Sequence, residues 1–300
     1  MNTTKGAMVL AMLTAVVAMI AAAVGLFWTG DGETWTFTTL HGETVEIYGQ
    51  GLYRNDTFFK APLLRGTDAV TLFIALPLLL VALNMARSGS LRGRLLLAGV
   101  MSYFAYNATL MSLNVSYNDL YLLYLVYFPL AIFGFVLACL SVDVDELGAR
   151  IRPGLPHRLM AGFLVVGGLS VFVWLIPIVE GIAAGEVPHG LAMYTTEATY
   201  FLDVGIIAPV AFLAAWLVFR RRSAGYLLAG IVLTLNGMIG AVVIGQTVAQ
   251  NLAGVELTTG EMVTFVGLFV VTSVIAASLV WSLLRHIDER GGGVASSARR

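Results

Sequence analysis

Eight runs of apolar sequence, each about as long as a bilayer is thick, constrain this chain more than any motif in it. They lie at 7–28, 68–86, 94–114, 119–141, 159–182, 199–219, 224–249 and 262–284. An α-helix rises about 1.5 Å per residue, so about 20 residues cross a hydrocarbon core. Runs of this length are not the ~10-residue alternating strands of a membrane barrel. Inside lipid, a helix is then the one remaining way to satisfy every backbone polar group. Composition agrees: the chain is 58% hydrophobic and 12% charged, against about half and about a quarter in a soluble domain. The expected fold is an all-α integral membrane protein with eight transmembrane helices, a single polytopic domain over residues 1–300.

The connections set the orientation. With the N-terminus inside, one side carries Lys5, Arg87, Arg92, Arg94, Arg150, Arg152, Arg158, Arg220, Arg221, Arg222, Arg285, Arg290, Arg299 and Arg300. The other carries only Arg54, Lys60 and Arg65. The positive-inside rule then places both termini in the cytoplasm, in a plasma membrane. Acidic residues lean outward: Asp31, Glu33, Glu43, Glu46, Asp56, Glu180, Glu186, Glu256 and Glu261 all fall at or beyond outer helix ends. They make that face electronegative and attractive to cations. The first run continues past Ala21–Ala23 to Trp28, so it is read as an uncleaved helix rather than a signal peptide.

One outer connection is long. In residues 29–67, TWTFTTL and ETVEIYG flank His41-Gly42 and predict a β-hairpin. The following GQGLYRNDTFFKAPLLRGTD is too apolar for a free loop, so the segment is expected to fold back as a cap. Thr67 then serves as N-cap of a second helix starting at Asp68. The inner loop SVDVDELGARIRPGLPHR holds room for one amphipathic turn, and 286–300 reads as a flexible cytoplasmic tail whose arginines touch anionic lipid.

An internal echo divides the chain. Asp68, Pro77, an arginine turn and LLLAGV (95–100) recur as Asp203, Pro209, Arg220–Arg222 and YLLAGI (226–231). This would make two four-helix halves related by an axis along the membrane normal, with a site between them.

Polar residues inside the runs gather at one depth, in the outer half. A charge there is expensive, by roughly 2.5–3.5 kcal/mol at mid-membrane and less near the surface, so such residues face a cavity or a partner. Asp203 is the foremost, with Glu197 and Tyr200 above it. Asp68, Asn107, Asp119, Asn236 and Gln246 complete an expected pocket lined by helices two, three, four, six and seven. Arg65 joins them from the cap, where Arg54, Lys60 or Arg65 could pair with Asp203, Glu197 or Asp68, or hold an anion. Asn, Gln and Tyr also simply pack helices together. Pro77, Pro129, Pro177 and Pro209 predict kinks, and a broken helix beside such a site is a transporter feature.

Other chemistries are excluded. His41, His157, His189 and His286 lie outside the runs, against bis-histidine haem and an intramembrane zinc protease. No run contains a lysine for a retinal Schiff base, and no nucleotide-loop or hydrolase motif occurs. The single cysteine, Cys139, forbids an internal disulfide and reads as a small buried apolar residue. Asn55 and Asn114 head glycosylation sequons. No cofactor, metal or nucleic acid is called for. The expected partners are the lipid bilayer, a small solute or cation, and a further copy of the chain. The expected activity is binding or transport of a small solute through an outward-facing polar pocket. Two rivals are a membrane-embedded enzyme using outer carboxylates as acid and base, and an assembly or sensory subunit.

Overall fold

In a computed structural model that describes residues 3–188, 190–255, 260 and 266–289, the described parts of the apolar runs fold as helices. Among the described residues, eight helices are long and apolar enough to cross a membrane: α1 (Thr3–Phe27), α2 (Lys60–Arg87), α3 (Leu91–Leu113), α4 (Tyr121–Leu140), α5 (His157–Ala184), α6 (Ala198–Phe219), α7 (Ser223–Leu252) and α8 (Leu268–His286). His189, Glu256, Glu261, residues 262–265 of the eighth expected run and residues 290–300 of the expected tail lie outside the described residues.

Two boundaries differ from the sequence reading. Helix α2 begins at Lys60, eight residues before the expected Asp68, so Thr67 is not its N-cap. Thr67 lies within the helix, and its hydroxyl donates to Leu63 O at 3.1 Å. The proline at 62 falls in the first turn, where its missing N–H is not needed. Residues 286–289 are likewise fixed rather than part of a free tail. Ile287 is fully buried and bridges Ile151. The Glu289 carboxylate accepts from Arg92 N at 2.8 Å, Leu91 N at 3.3 Å and Ser90 Oγ at 2.9 Å, capping the start of α3. Burial opposes ionisation of Glu289, but these donors hold its carboxyl below the usual range.

The two central helices are α3 and α7, the most buried of the eight. Small residues let them meet: a Cβ on Gly99 would lie 2.5 Å from Thr234 Oγ1, and one on Gly230 would lie 2.7 Å from Leu95 Cδ1. Helix α2 crosses α7 still closer, where a Cβ on Gly66 would meet Gly245 O at 2.4 Å. Helices α1 and α4 flank the first side, packed through Ala7, Ala11, Ala18 and Ala131. Helices α5 and α6 flank the second.

One end of this bundle bears the hairpin, β1 (Trp35–Thr38) and β2 (Thr44–Ile47), paired antiparallel with Trp35 opposite Ile47. The reversal spans Thr39 to Glu43, with Thr39 Oγ1 accepting from His41 N and Glu43 N and Gly42 at φ +84°. The chain after it folds back over the helix ends, burying Ile47, Leu52 and Tyr53. The opposite end carries the arginine-bearing turns and a short helix, Val144–Ala149, whose cap is Asp143 accepting from Glu146 N at 2.9 Å.

Candidate functional site

Among the described residues, three helices change their winding toward the hairpin end in a few residues before a proline. In α2 the segment Thr71–Ala75 is a π turn and Pro77 follows. In α6 the segment Asp203–Ile207 is a π turn and Pro209 follows. The residue before each proline donates five back: Leu76 N to Thr71 O, and Ala208 N to Asp203 O. A proline ring clashes with the carbonyl four residues earlier, and one extra residue in the turn relieves that clash. In α5 the segment Val171–Trp174 tightens to a 3-10 turn before Pro177.

These irregular turns place Asp203. Its carboxylate accepts from Trp174 Nε1 at 2.9 Å and from Tyr106 Oη at 3.1 Å, joining α5, α3 and α6. Tyr200 does not touch the carboxylate but stacks on Trp174, with centroids 5.5 Å apart and planes 23° from parallel.

Glu197 sits at the N-cap of α6 and accepts from Thr199 Oγ1 at 2.8 Å. Lys60 Nζ approaches its other oxygen at 3.1 Å, which is the cap-to-helix ion pair expected of the three basic residues. The Asn114 side-chain amide also donates to Glu197. Asn114 is therefore buried and bonded, so its sequon is closed to a glycan in this fold, whereas Asn55 is exposed. Lys60 lies 3.8 Å from the ring centre of Tyr194. The Tyr194 hydroxyl in turn donates to Asp56 Oδ1 at 2.8 Å. Asp56 is fully buried and also accepts from Ser116 N at 2.9 Å, while Oδ2 has no hydrogen-bond partner among the described residues. Burial raises its carboxyl to about 6 against the pull of these donors. The Tyr194 hydroxyl is raised by burial and then by the charge of Asp56.

A second centre lies deeper in the first side of the bundle. Tyr53 Oη donates to Asp68 Oδ2 at 2.6 Å, and burial, then the Asp68 charge, raises the phenol well above its ordinary range. The pair is wedged against α1, where a Cβ on Gly25 would fall 2.0 Å from Asp68 Oδ2. Tyr103 shares a 2.7 Å hydrogen bond with Thr71, and Tyr127 donates to Asn107 at 2.9 Å. Arg65 is next to this centre but spends its guanidinium on Leu26 O at 2.9 Å and Tyr48 Oη at 3.1 Å.

Of the nine residues singled out, Asp203, Glu197 and Tyr200 thus lie in one seam, and Asp68, Asn107 and Arg65 belong to the second centre. Gln246 joins α7 to α2 by donating to Thr67 Oγ1 at 2.9 Å. Two lie apart. Asn236 is beside Gly167 of α5. Asp119 forms a surface pair with Arg54 at 2.6 Å, and that hydrogen bond holds its carboxyl below the usual range. Tyr53, Tyr106, Trp174 and Tyr194 were not anticipated as partners. The sequence offered one signal for Tyr106, its place beside Asn107 in an otherwise apolar run, and none for Trp174 or Tyr194. Two surface hollows lie away from these centres. An apolar one of about 290 Å³ is lined by Leu10 of α1 and by Leu125, Pro129 and Phe133 of α4, and a more polar one of about 390 Å³ opens at the arginine end. Among the described residues, no three His, Cys, Asp or Glu side chains gather as metal ligands. No protein-family model, no curated protein and no solved structure matches the chain.

Proposed function

We propose that the chain is a multi-pass plasma-membrane protein, with both termini cytoplasmic, that binds or moves a small solute or cation. The site is the polar seam where α2 and α3 face α5 and α6 at the hairpin end. The observation that carries this reading is the pairing of helix breaks. Helices α2 and α6 each present an aspartate, a π turn with a five-back hydrogen bond, and a proline in the same order. Broken helices in corresponding positions of two repeats point to a transporter-type binding region. Gly99 and Gly230, at matching places in LLLAG and YLLAG, both press into the α3–α7 crossing, as expected of two four-helix halves about an axis between them. The concentration of arginines at the other end supports the assigned orientation.

Asp203 is the binding group in this scheme. Neither the 3-10 turn of α5 nor the π turn of α6 contains a buried residue, so that wall is weakly packed. It rests on α3 through the Trp174–Asp203–Tyr106 connection. A ligand that competes for the carboxylate would release the wall, which couples occupancy to movement. Binding suits this site better than acid–base catalysis. Each oxygen of Asp203 and of Glu197 already accepts from a protein donor, which holds both carboxylates in place as acceptors, and their remaining lone pairs suit a ligand that donates hydrogen bonds or is a cation.

The test is ligand-dependent thermal stabilisation of purified wild type and Asp203→Asn, with sodium, potassium and a panel of small polar solutes. The expected result is a stabilising ligand whose effect is lost in Asp203→Asn at undiminished folded yield. If the variant responds like wild type, or only unfolds, Asp203 is not the binding group.

A further inference from the structure

The two flanking seams of the bundle are unequal. Helix α1 packs along α4 over most of its length, through alanines and Gly134. The corresponding pair on the other side, α5 and α8, meets over little of its length among the described residues, and these are the two least buried helices. The polar hollow of about 390 Å³ lies at the arginine end of that open seam. It is lined by Arg152 and Pro153, just before α5, and by Trp281, Ser282, Arg285 and His286 of α8.

We infer that this hollow holds the phosphate of an anionic phospholipid whose chains lie in the open α5–α8 seam. Among the described residues two arginines line it and no acid does; Asp288 meets Arg152 at 2.9 Å from beyond the lining. Arg285 lies over the Trp281 ring, its guanidinium carbon 5.7 Å from the centroid, which orients the cation without neutralising it. The His286 Nδ1 faces Ser282 O at 2.7 Å, and a carbonyl only accepts, so Nδ1 carries the proton.

A helix C-terminus ordinarily repels an anion. Here that end is already capped: Arg152 N donates to His286 O at 2.8 Å and the Arg92 guanidinium donates to Ile287 O. The walls are fixed in advance, because Asp288 N also donates to Arg150 O at 2.8 Å and Ile151 bridges Ile287. Below the hollow, Trp281, Ile275, Val274 and Val271 form an exposed apolar strip along α8. The strip distinguishes a lipid from a free phosphate ion. Basic pockets at the cytoplasmic ends of membrane helices bind such head groups. This inference rests on the helices crossing a bilayer with the arginine end at its surface, and not on Asp203 as a binding group.

The experiment is native mass spectrometry of the full chain in detergent, titrated with phosphatidylglycerol, phosphatidylcholine or inorganic phosphate. Wild type should retain one phosphatidylglycerol in preference to phosphatidylcholine. Arg285→Gln should weaken phosphatidylglycerol about fivefold, as expected for one arginine near the surface, and leave phosphatidylcholine unchanged. Arg285→Lys should keep the preference, and Arg285 is exposed, so both variants should fold. Equal retention of the two lipids would overturn the inference, as would unaltered binding in Arg285→Gln. Displacement of the lipid by inorganic phosphate at similar concentration would assign a free anion instead. A dimer carrying no lipid would assign the seam to a second copy of the chain.

Discussion

Trp174 donates its indole N–H to Asp203 at 2.9 Å, and this bond ties the tightened turn of α5 to the widened turn of α6. Two helices that each depart from regular winding are thereby locked at one level. The same carboxylate accepts from Tyr106, so both departures are referred to the rigid helix α3.

The partners of Asp203 differ in what they tolerate. A phenol can reverse and accept from an amide, but an indole can only donate. Asp203→Asn should therefore keep one donor satisfied directly and recover the other by rotation of the Tyr106 hydroxyl. Trp174→Phe deletes the bond outright and also alters the stack on Tyr200. We expect Trp174→Phe to lower stability by about 1–3 kcal/mol, and Asp203→Asn by less. Thermal midpoints in one detergent compare them.

Asp56 gives the hairpin end a pH dependence. Its folded-state carboxyl titrates at about 6, raised by burial from 3.8, so the folded chain holds the proton more tightly than the unfolded chain. The contribution is fully present below the unfolded value and lost as pH rises through about 6. Between pH 7.5 and 5 the gain should be about 1 kcal/mol. Asp56→Asn keeps an acceptor for Ser116 N and Tyr194 Oη but cannot titrate. The difference between wild type and this variant, followed by thermal midpoint against pH, should shrink above pH 6 and grow below it in favour of wild type. A flat difference would place the proton elsewhere.

The Lys60–Glu197 pair is shielded, with side chains only 12% and 20% exposed. Removing one member of such a pair leaves the other charge under-compensated. Lys60→Ala should lose about 2 kcal/mol, and Lys60→Ala/Glu197→Ala should lose less than the sum of the single variants. Because the pair is partly desolvated, its coupling should persist at high salt. Additive losses in the double-mutant cycle would show the two charges acting independently.

The α2–α7 crossing makes the sharpest structural prediction. A Cβ on Gly66 would fall 2.4 Å from Gly245 O and 2.5 Å from Gln246 Cα, both backbone, so no rotamer change relieves it. Gly66→Ala should cost about 3 kcal/mol and reduce the monodisperse fraction on size exclusion. Gly162 of α5 is the control, since a Cβ there meets nothing within 4 Å. Gly162→Ala should be neutral or add about 0.5–1 kcal/mol by favouring the helix.

The helices were legible because each depends on local apolar composition alone. The start of α2 was missed because its first turns, Lys60 to Thr67, contain a proline, an arginine and a glycine, and burial against α1 and α7 outweighs that local bias. Asp56 reads from the sequence as one of the outer carboxylates of the acid–base alternative, not as a buried group. Its burial depends on Tyr194, 138 residues away, and no spacing rule reaches that far. Asp203 and Glu197 stood out because a charge beside lipid is conspicuous, whereas Trp174 did not, since an indole inside an apolar run reads as one more apolar side chain. Gln246 and Asn107 were recognised as polar within apolar runs, and the structure gives both bonds between helices.

The π turn of α6 has an implication for how such a site could be altered. Relative to an α-helix, it accommodates one residue more. Deleting a residue from Val204–Ile207 would therefore restore regular winding while leaving the alanine face at Ala211, Ala214 and Ala215 aimed as before. Adding one elsewhere in α6 would instead swing that face by about 100° and misalign it against its neighbours. The region around Asp203 is thus a length buffer for deletion: one residue can be lost there, which returns the Pro209 ring to the carbonyl one turn earlier but leaves the packed half of the same helix aimed as before.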